Sequence, residues 1–220
     1  IIVGLLLPLV PSALRAFRAC GARERLAVIV VGGGSSALAT TLFTMAFQVG
    51  DPVTPLVLQK LQPVFAAAAS FLLLGERLRG RYFAFAVPAL LGAWMLAFPD
   101  PLDVRVSQAL PALLGVGAAM LWAAGTVLGR MASSRIPSRD VTTLRFLIGL
   151  PTAAVLLLLQ GDPVAVGWAN APGLLLLALI PGLIALRLYY RGLRTTPAAR
   201  ATLAELSFPA TAAIVGVVVL

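Results

Sequence analysis

The chain has 220 residues, a formal net charge of +9, no histidine and one cysteine; 60% of it is hydrophobic, only 11% is charged, and its mean hydropathy is +0.99. A water-soluble globular domain does not reach that apolar content, so the composition predicts an all-α polytopic membrane protein. The lone Cys20 excludes an intramolecular disulfide and a CxxC metal pair, and the missing histidines remove the commonest general base and neutral metal ligand.

About 20 residues of helix cross the hydrocarbon of a bilayer. In chain order, apolar runs bounded by Gly, Pro or charge predict eight spans, over residues 1–17, 26–49, 53–75, 82–98, 109–131, 141–159, 172–193 and 201–220. The chain opens inside the first run with neither an initiator Met nor a basic leader, which reads as a fragment beginning within a helix. The connectors are short, and the longest, Pro99 to Ser107, is the one candidate linker between halves. Pro8, Pro11, Pro63, Pro88, Pro151, Pro181 and Pro209 interrupt the spans and allow bending.

Alternate connectors carry Arg15, Arg18, Arg23 and Arg25; Arg77, Arg79 and Arg81; Arg130, Arg135 and Arg139; and Arg191, Arg194 and Arg200. The others hold Arg105 alone, with Asp51, Asp100, Asp103 and Asp162. Thirteen arginines against one is a strong positive-inside signal that assigns the arginine-rich connectors to the cytoplasm. With the basic residues distributed between apolar runs in this way, nucleic acid is not expected as a partner.

The third run stands apart because it holds Gln59, Lys60 and Gln62, polar groups that are costly at membrane depth, together with Pro63, which removes a backbone hydrogen bond. Pro55, Gln59 and Gln62 share a helical face, with Lys60 about 100° away. A polar stripe on a spanning helix faces a cavity or another helix. The functional reading is the lining of a substrate path; the plainer one is interhelical hydrogen bonding, with Lys60 snorkelling to the headgroups. Glu205 is the one acidic residue well inside a span, with Arg187 in the preceding helix as its expected partner, either in transport or as a static ion pair. Arg145, about one turn inside its helix, is expected to snorkel. Glu76, flanked by arginines, is explained by a capped and salt-bridged helix end, with a gating contact as the alternative. Trp168 suits an interfacial belt, whereas Trp122 falls mid-helix and faces either substrate or neighbouring side chains and lipid.

A shift of 146 positions sets Pro63 on Pro209, Gln59 on Glu205, Phe43 on Tyr189, and Ala66 and Ala67 on Ala212 and Ala213. It also lays the third run on the eighth, and these cross in opposite directions. Such an inverted-topology repeat places substrate between the halves near the midplane.

Gln59 to Ala68, Leu74-Gly-Glu-Arg-Leu78 and Leu203 to Ala213 resemble the paired EamA signature of the drug/metabolite transporter superfamily, and Gly117 to Arg130 is similar to the opening helix of that family's second half. The resemblance implies two inverted five-helix repeats, a ten-helix bundle in the full protein, that export or exchange small metabolites. By that pattern residues 1–99 are the first repeat, lacking its first helix and part of its second; residues 100–107 are an extracytoplasmic linker; and residues 108–220 are the second repeat, lacking its last helix.

The expected function is therefore alternating-access transport across the cytoplasmic membrane, with Gln59, Lys60, Gln62, Trp122, Arg187 and Glu205 as the candidate substrate site. The expected partners are a small-molecule substrate and the lipid bilayer; proton or exchange coupling and a homodimer stay open. No cofactor or metal motif is present. Gly32-Gly-Gly-Ser-Ser36 lacks the Lys-Ser/Thr of a phosphate loop and reads better as a close helix contact. Two other readings remain. One is an intramembrane lipid-modifying enzyme, for which Ser36 or Ser70 with Lys60 has no supporting motif; the other is a non-transporting assembly subunit.

Overall fold

A computed structural model describes residues 1–50, 53–97, 109–161, 167–208, 211 and 214–215. Among these the chain is helical, with no strand. The helices are α1 (Ile2–Ala19), α2 (Ala22–Val49), α3 (Val53–Leu74), α4 (Gly80–Ala97), α5 (Ala109–Ser133), α6 (Ser138–Gln160), α7 (Ala171–Leu193) and α8 (Ala198–Glu205). Six of them, α1, α2, α3, α5, α6 and α7, are long and apolar enough to cross a membrane. The chain is a polytopic helical membrane protein. Helices begin earlier than the apolar runs: α2 winds through Arg23, Glu24 and Arg25, and α6 starts at Ser138, because hydropathy marks hydrocarbon depth rather than the helix end. The linker at 100–107, the acidic residues Asp51, Asp100, Asp103 and Asp162, Arg105, and most of the eighth predicted span, including Pro209, Ala212, Ala213 and Leu220, lie outside the described residues.

The helices form two compact units, and each unit draws on both halves of the sequence. The first comprises Ile1–Leu38 and Leu128–Thr196. Its centre is the packing of α2 on α6. Within α2, Val30–Leu38 winds as a π-helix rich in Gly and Ser. A Cβ built on Gly32 would stand 2.7 Å from Ile148 Cβ and 3.0 Å from the Arg145 carbonyl oxygen, so only glycine lets these helices come this close. The expected role of the glycine run as a close helix contact is what the structure contains. A second π stretch, Ala178–Ala185 in α7, encloses Pro181. The 146-residue shift carries Val30 to Leu176 and Leu38 to Ile184, so the two stretches overlap under it.

At one end of this unit the polar groups pair off. The Ser12 hydroxyl donates to Asp140 Oδ1 at 2.8 Å, Arg135 meets Glu24 at 3.3 Å, and Arg130 donates to the Leu193 carbonyl at 2.8 Å and to that of Arg194. A guanidinium on the last carbonyls of α7 satisfies acceptors that have no helical donor.

The second unit comprises Ala39–Val127 and Pro197–Leu220. Its core is small: Ala66 of α3, Ala123 and Val127 of α5 and Ala198 of α8, with Phe65, Ala69 and Leu74 packed against them. Alanines let the helix axes approach, and association in lipid depends on that close fit because burying apolar surface gains little there. Large apolar side chains face outward instead; Leu72 is 76% and Phe85 68% exposed. Such a surface suits a bilayer, not water.

Candidate functional site

The site begins with a break in α3. Lys60 N–H bonds back to the Val57 carbonyl at 3.0 Å and Leu61 N–H to that of Leu58 at 3.1 Å, three-residue steps that replace the four-residue ladder. Pro63 has no N–H to offer the Gln59 carbonyl four residues earlier, and its ring excludes a regular turn there. The first segment therefore ends as Val53–Gln59, and the second, Gln62–Leu74, opens with Pro63 in its first turn. The kink anticipated at Pro63 is a full interruption, located at the polar triplet.

The eighth helix ends in the same manner. Glu205 is the last residue of Ala198–Glu205, and Leu206 N–H turns back to the Leu203 carbonyl at 3.2 Å. The 146-residue shift carries Gln59 to Glu205 and Lys60 to Leu206, so two helical segments stop at matched positions, each on a polar side chain.

Both ends open on one cavity of 180 Å³, lined by Gln59, Lys60, Gln62, Pro63, Thr202 and Glu205, with Leu206 and Phe208 on its apolar side. Gln62 Nε2 donates to Glu205 Oε2 at 2.8 Å. This charge-assisted bond joins α3 to α8 and leaves Gln59, Lys60 and the second carboxylate oxygen among the polar groups of the site. A carboxylate and an ammonium lining one small cavity can hold a molecule that carries both signs.

Four of the six candidate residues, Gln59, Lys60, Gln62 and Glu205, thus meet. Trp122 does not line this cavity; its ring meets Phe43 edge-on, with centroids 5.1 Å apart, and Phe43 in turn meets Phe47 at 5.0 Å. Arg187 is exposed on α7 in the first unit. Thr202 was missed. It precedes Glu205 by three residues on the same helical face and is fully buried, its hydroxyl donating to the Ala199 carbonyl at 3.1 Å. A search for polar residues at i−3 and i−4 from Glu205 would have found it.

Arg145 corrects an expectation. It does not snorkel: Nε donates to Ser36 Oγ at 2.6 Å and a terminal nitrogen to the Tyr190 hydroxyl at 2.8 Å, with the guanidinium carbon 5.8 Å from the Tyr190 ring centroid. Two hydroxyls within reach from α2 and α7 hold the guanidinium inside its unit.

Glu76 does cap a helix end, but that of α8 rather than the end of its own helix, which Gly75 closes. Gly75, at φ +65°, ends α3 with Gly75 N–H on the Phe71 carbonyl at 3.1 Å and Glu76 N–H on that of Ser70 at 3.2 Å. The left-handed turn brings the Glu76 carboxylate to the Ala198 N–H at 3.0 Å. Pro197 precedes α8 without offering a side-chain cap, so a carboxylate from α3 stands in for one.

The chain matches the EamA-like transporter family over residues 1–98 and 109–220. It is 33% identical over 193 residues to riboflavin transporter ImpX of Fusobacterium nucleatum, covering 83% of this chain and 63% of that protein. It is 29% identical over 179 residues to the uncharacterized transporter YwfM of Bacillus subtilis, covering 80% and 58%. The chain thus spans less than two thirds of the length of these relatives. A solved crystal structure superposes with a TM-score of 0.77 at 20% identity, over 98% of this chain and 73% of that one, a likeness of fold.

Proposed function

The chain belongs to the EamA-like transporter family, and from that premise we propose that it is the larger part of a secondary transporter that moves a small metabolite across the cytoplasmic membrane, as exporter or exchanger, by alternating access. One observation carries the reading: the segments Val53–Gln59 and Ala198–Glu205 stop at repeat-matched positions and present Gln59 and Glu205 to one cavity, bridged by the Gln62–Glu205 bond. Interrupted helices at matched points of two repeats are the way many transporters build a site at membrane depth, because the freed backbone groups and helix ends bind polar cargo that a continuous apolar helix could not. The overlapping π stretches Val30–Leu38 and Ala178–Ala185 support the same repeat.

On this reading residues 1–99 and 108–220 are the two inverted repeats, 100–107 is the linker outside, and the arginine-rich connectors face the cytoplasm. Gln59, Lys60, Gln62 and Glu205 bind substrate, and Glu205 is the group through which protons couple to it. Arg187 and Trp122, which do not line this cavity, have no binding role in the proposal. The ammonium of Lys60 and the carboxylate of Glu205 suit a zwitterion such as an amino acid; the riboflavin transporter among the relatives puts riboflavin beside it as the second substrate to try. Family membership favours a transporter over an intramembrane enzyme.

The test is flux in proteoliposomes of the full-length protein, with labelled amino acids and riboflavin, comparing the parent with Glu205→Gln and Gln59→Ala. Saturable flux lost in either variant, with folding intact, supports the proposal. Flux unaltered by both places the site elsewhere.

A further inference from the structure

We propose that the junction of α3, α4 and α8 is a binding site for a phosphate-bearing anion, and that its occupant is the headgroup of an anionic phospholipid. The junction holds a second cavity of 320 Å³, apart from the substrate cavity, lined by Glu76, Arg77, Arg79, Arg81, Tyr82 and Arg200 among others. Four guanidinium groups and one carboxylate therefore share it. The carboxylate is already engaged, since Glu76 accepts the Ala198 N–H at 3.0 Å. Among the described residues none of these four arginines has a carboxylate within ion-pairing distance. Several arginines elsewhere in the chain have partners within reach: Arg135 meets Glu24, Arg130 two carbonyls, and Arg145 two hydroxyls; what sets these four apart is that they line one cavity.

Four like charges around one hollow repel one another unless an anion sits between them. Planar guanidinium donors match phosphate oxygens in pairs, which makes phosphate the fitting counter-charge. The position argues for a lipid as its source. The cavity lies where α3 ends at Leu74 and α4 begins at Gly80, the level of the headgroups for two apolar helices. From Tyr82 onward α4 offers exposed Phe83, Phe85 and Val87, a surface along which acyl chains can lie. Basic pockets at helix ends hold anionic headgroups by this combination of charge and adjoining apolar wall.

The experiment uses the full-length protein in detergent, titrated with phosphatidylglycerol or phosphatidylcholine, with bound lipid counted by native mass spectrometry. The parent is expected to retain phosphatidylglycerol in preference to phosphatidylcholine. The variant Arg77→Gln/Arg81→Gln/Arg200→Gln should weaken phosphatidylglycerol binding by at least about tenfold, since each guanidinium near an anionic headgroup contributes about fivefold. Arg18→Gln/Arg191→Gln/Arg194→Gln, which removes the same charge away from the cavity, should leave it intact. Arg81→Gln alone, an exposed single change, should show about a fivefold loss and keeps the comparison if the triple variant fails to fold. Equal binding by parent and cavity variants, or equal loss in the control, overturns the site. Displacement of the lipid by millimolar inorganic phosphate overturns the lipid as its occupant.

Discussion

Gln62 and Glu205 lie 143 positions apart in the chain, and the Gln62 side-chain amide donates to the Glu205 carboxylate across 2.8 Å. This bond ties the polar triplet of α3 to the end of α8, and both its partners line the same cavity. Replacing Gln62 by Leu removes the donor and leaves a half-buried carboxylate one hydrogen bond short, which costs about 1.5–3 kcal/mol. Gln62→Leu should therefore lower transport at least about tenfold, while Gln62→Asn keeps a donor and part of the activity. Glu205→Gln keeps the shape and removes the charge, so it should lower flux at least as far as Gln62→Leu does. Initial-rate measurements read both effects.

Glycines of the same sequence type should behave differently according to what they face. Gly32→Ala forces a Cβ to 2.7 Å from Ile148 Cβ and 3.0 Å from a backbone oxygen, an overpacking that costs about 1–3 kcal/mol. Gly92, with nothing within 4 Å of the same position, should accept Ala with no loss. Thermal unfolding in detergent, followed by circular dichroism, separates the two.

The cap that Glu76 places on α8 predicts a graded pair. Glu76→Ala leaves the Ala198 N–H without this acceptor and should cost about 1 kcal/mol, whereas Glu76→Gln keeps a carbonyl oxygen there and should cost less. If both variants melt with the parent, the carboxylate contributes nothing to α8.

Cys20 sits in the turn between α1 and α2, outside the membrane spans, and reports orientation. Burial, and secondarily the nearby Glu24 carboxylate, raise its thiol above the ordinary range. The thiolate is the reacting form, so labelling mapped to Cys20 should be slower than for a free cysteine at pH 7 and rise about tenfold per pH unit up to pH 9. An impermeant maleimide should reach it in inverted membrane vesicles and not in right-side-out ones. Labelling from the outside would reverse the orientation drawn from the arginines.

Much of this was legible beforehand, for reasons that particular residues make plain. Apolar runs edged by arginine located the helices because hydrocarbon admits little else, and Pro63 announced a break because a missing N–H can be read from composition alone. Gln59, Lys60, Gln62 and Glu205 stood out because polar groups at that depth need a partner. What was not legible depends on distance in space. Arg145 looked like a snorkelling side chain because Ser36 and Tyr190, 109 and 45 residues away, come within reach only once α2, α6 and α7 have packed. The π stretches at Val30–Leu38 and Ala178–Ala185 left only a hint in their small residues and Pro181, since one extra residue per turn has no strong composition of its own. Thr202 passed unremarked because a threonine can satisfy its hydroxyl on its own helix, as this one does.

The central claim, that the cavity at the paired helix ends is the substrate site and opens to each side in turn, is tested most directly by a reporter at Gln59. In the full-length protein with Cys20→Ser and any other cysteine replaced, Gln59→Cys is treated with an impermeant maleimide in right-side-out and in inverted vesicles. The amino acid or riboflavin shown to be transported is added at about ten times its Kd for the Gln59→Cys protein, measured separately. The account predicts reaction from both sides, slowed about tenfold by that substrate in each case. Reaction from one side only, or rates that the transported substrate leaves unchanged, would contradict it.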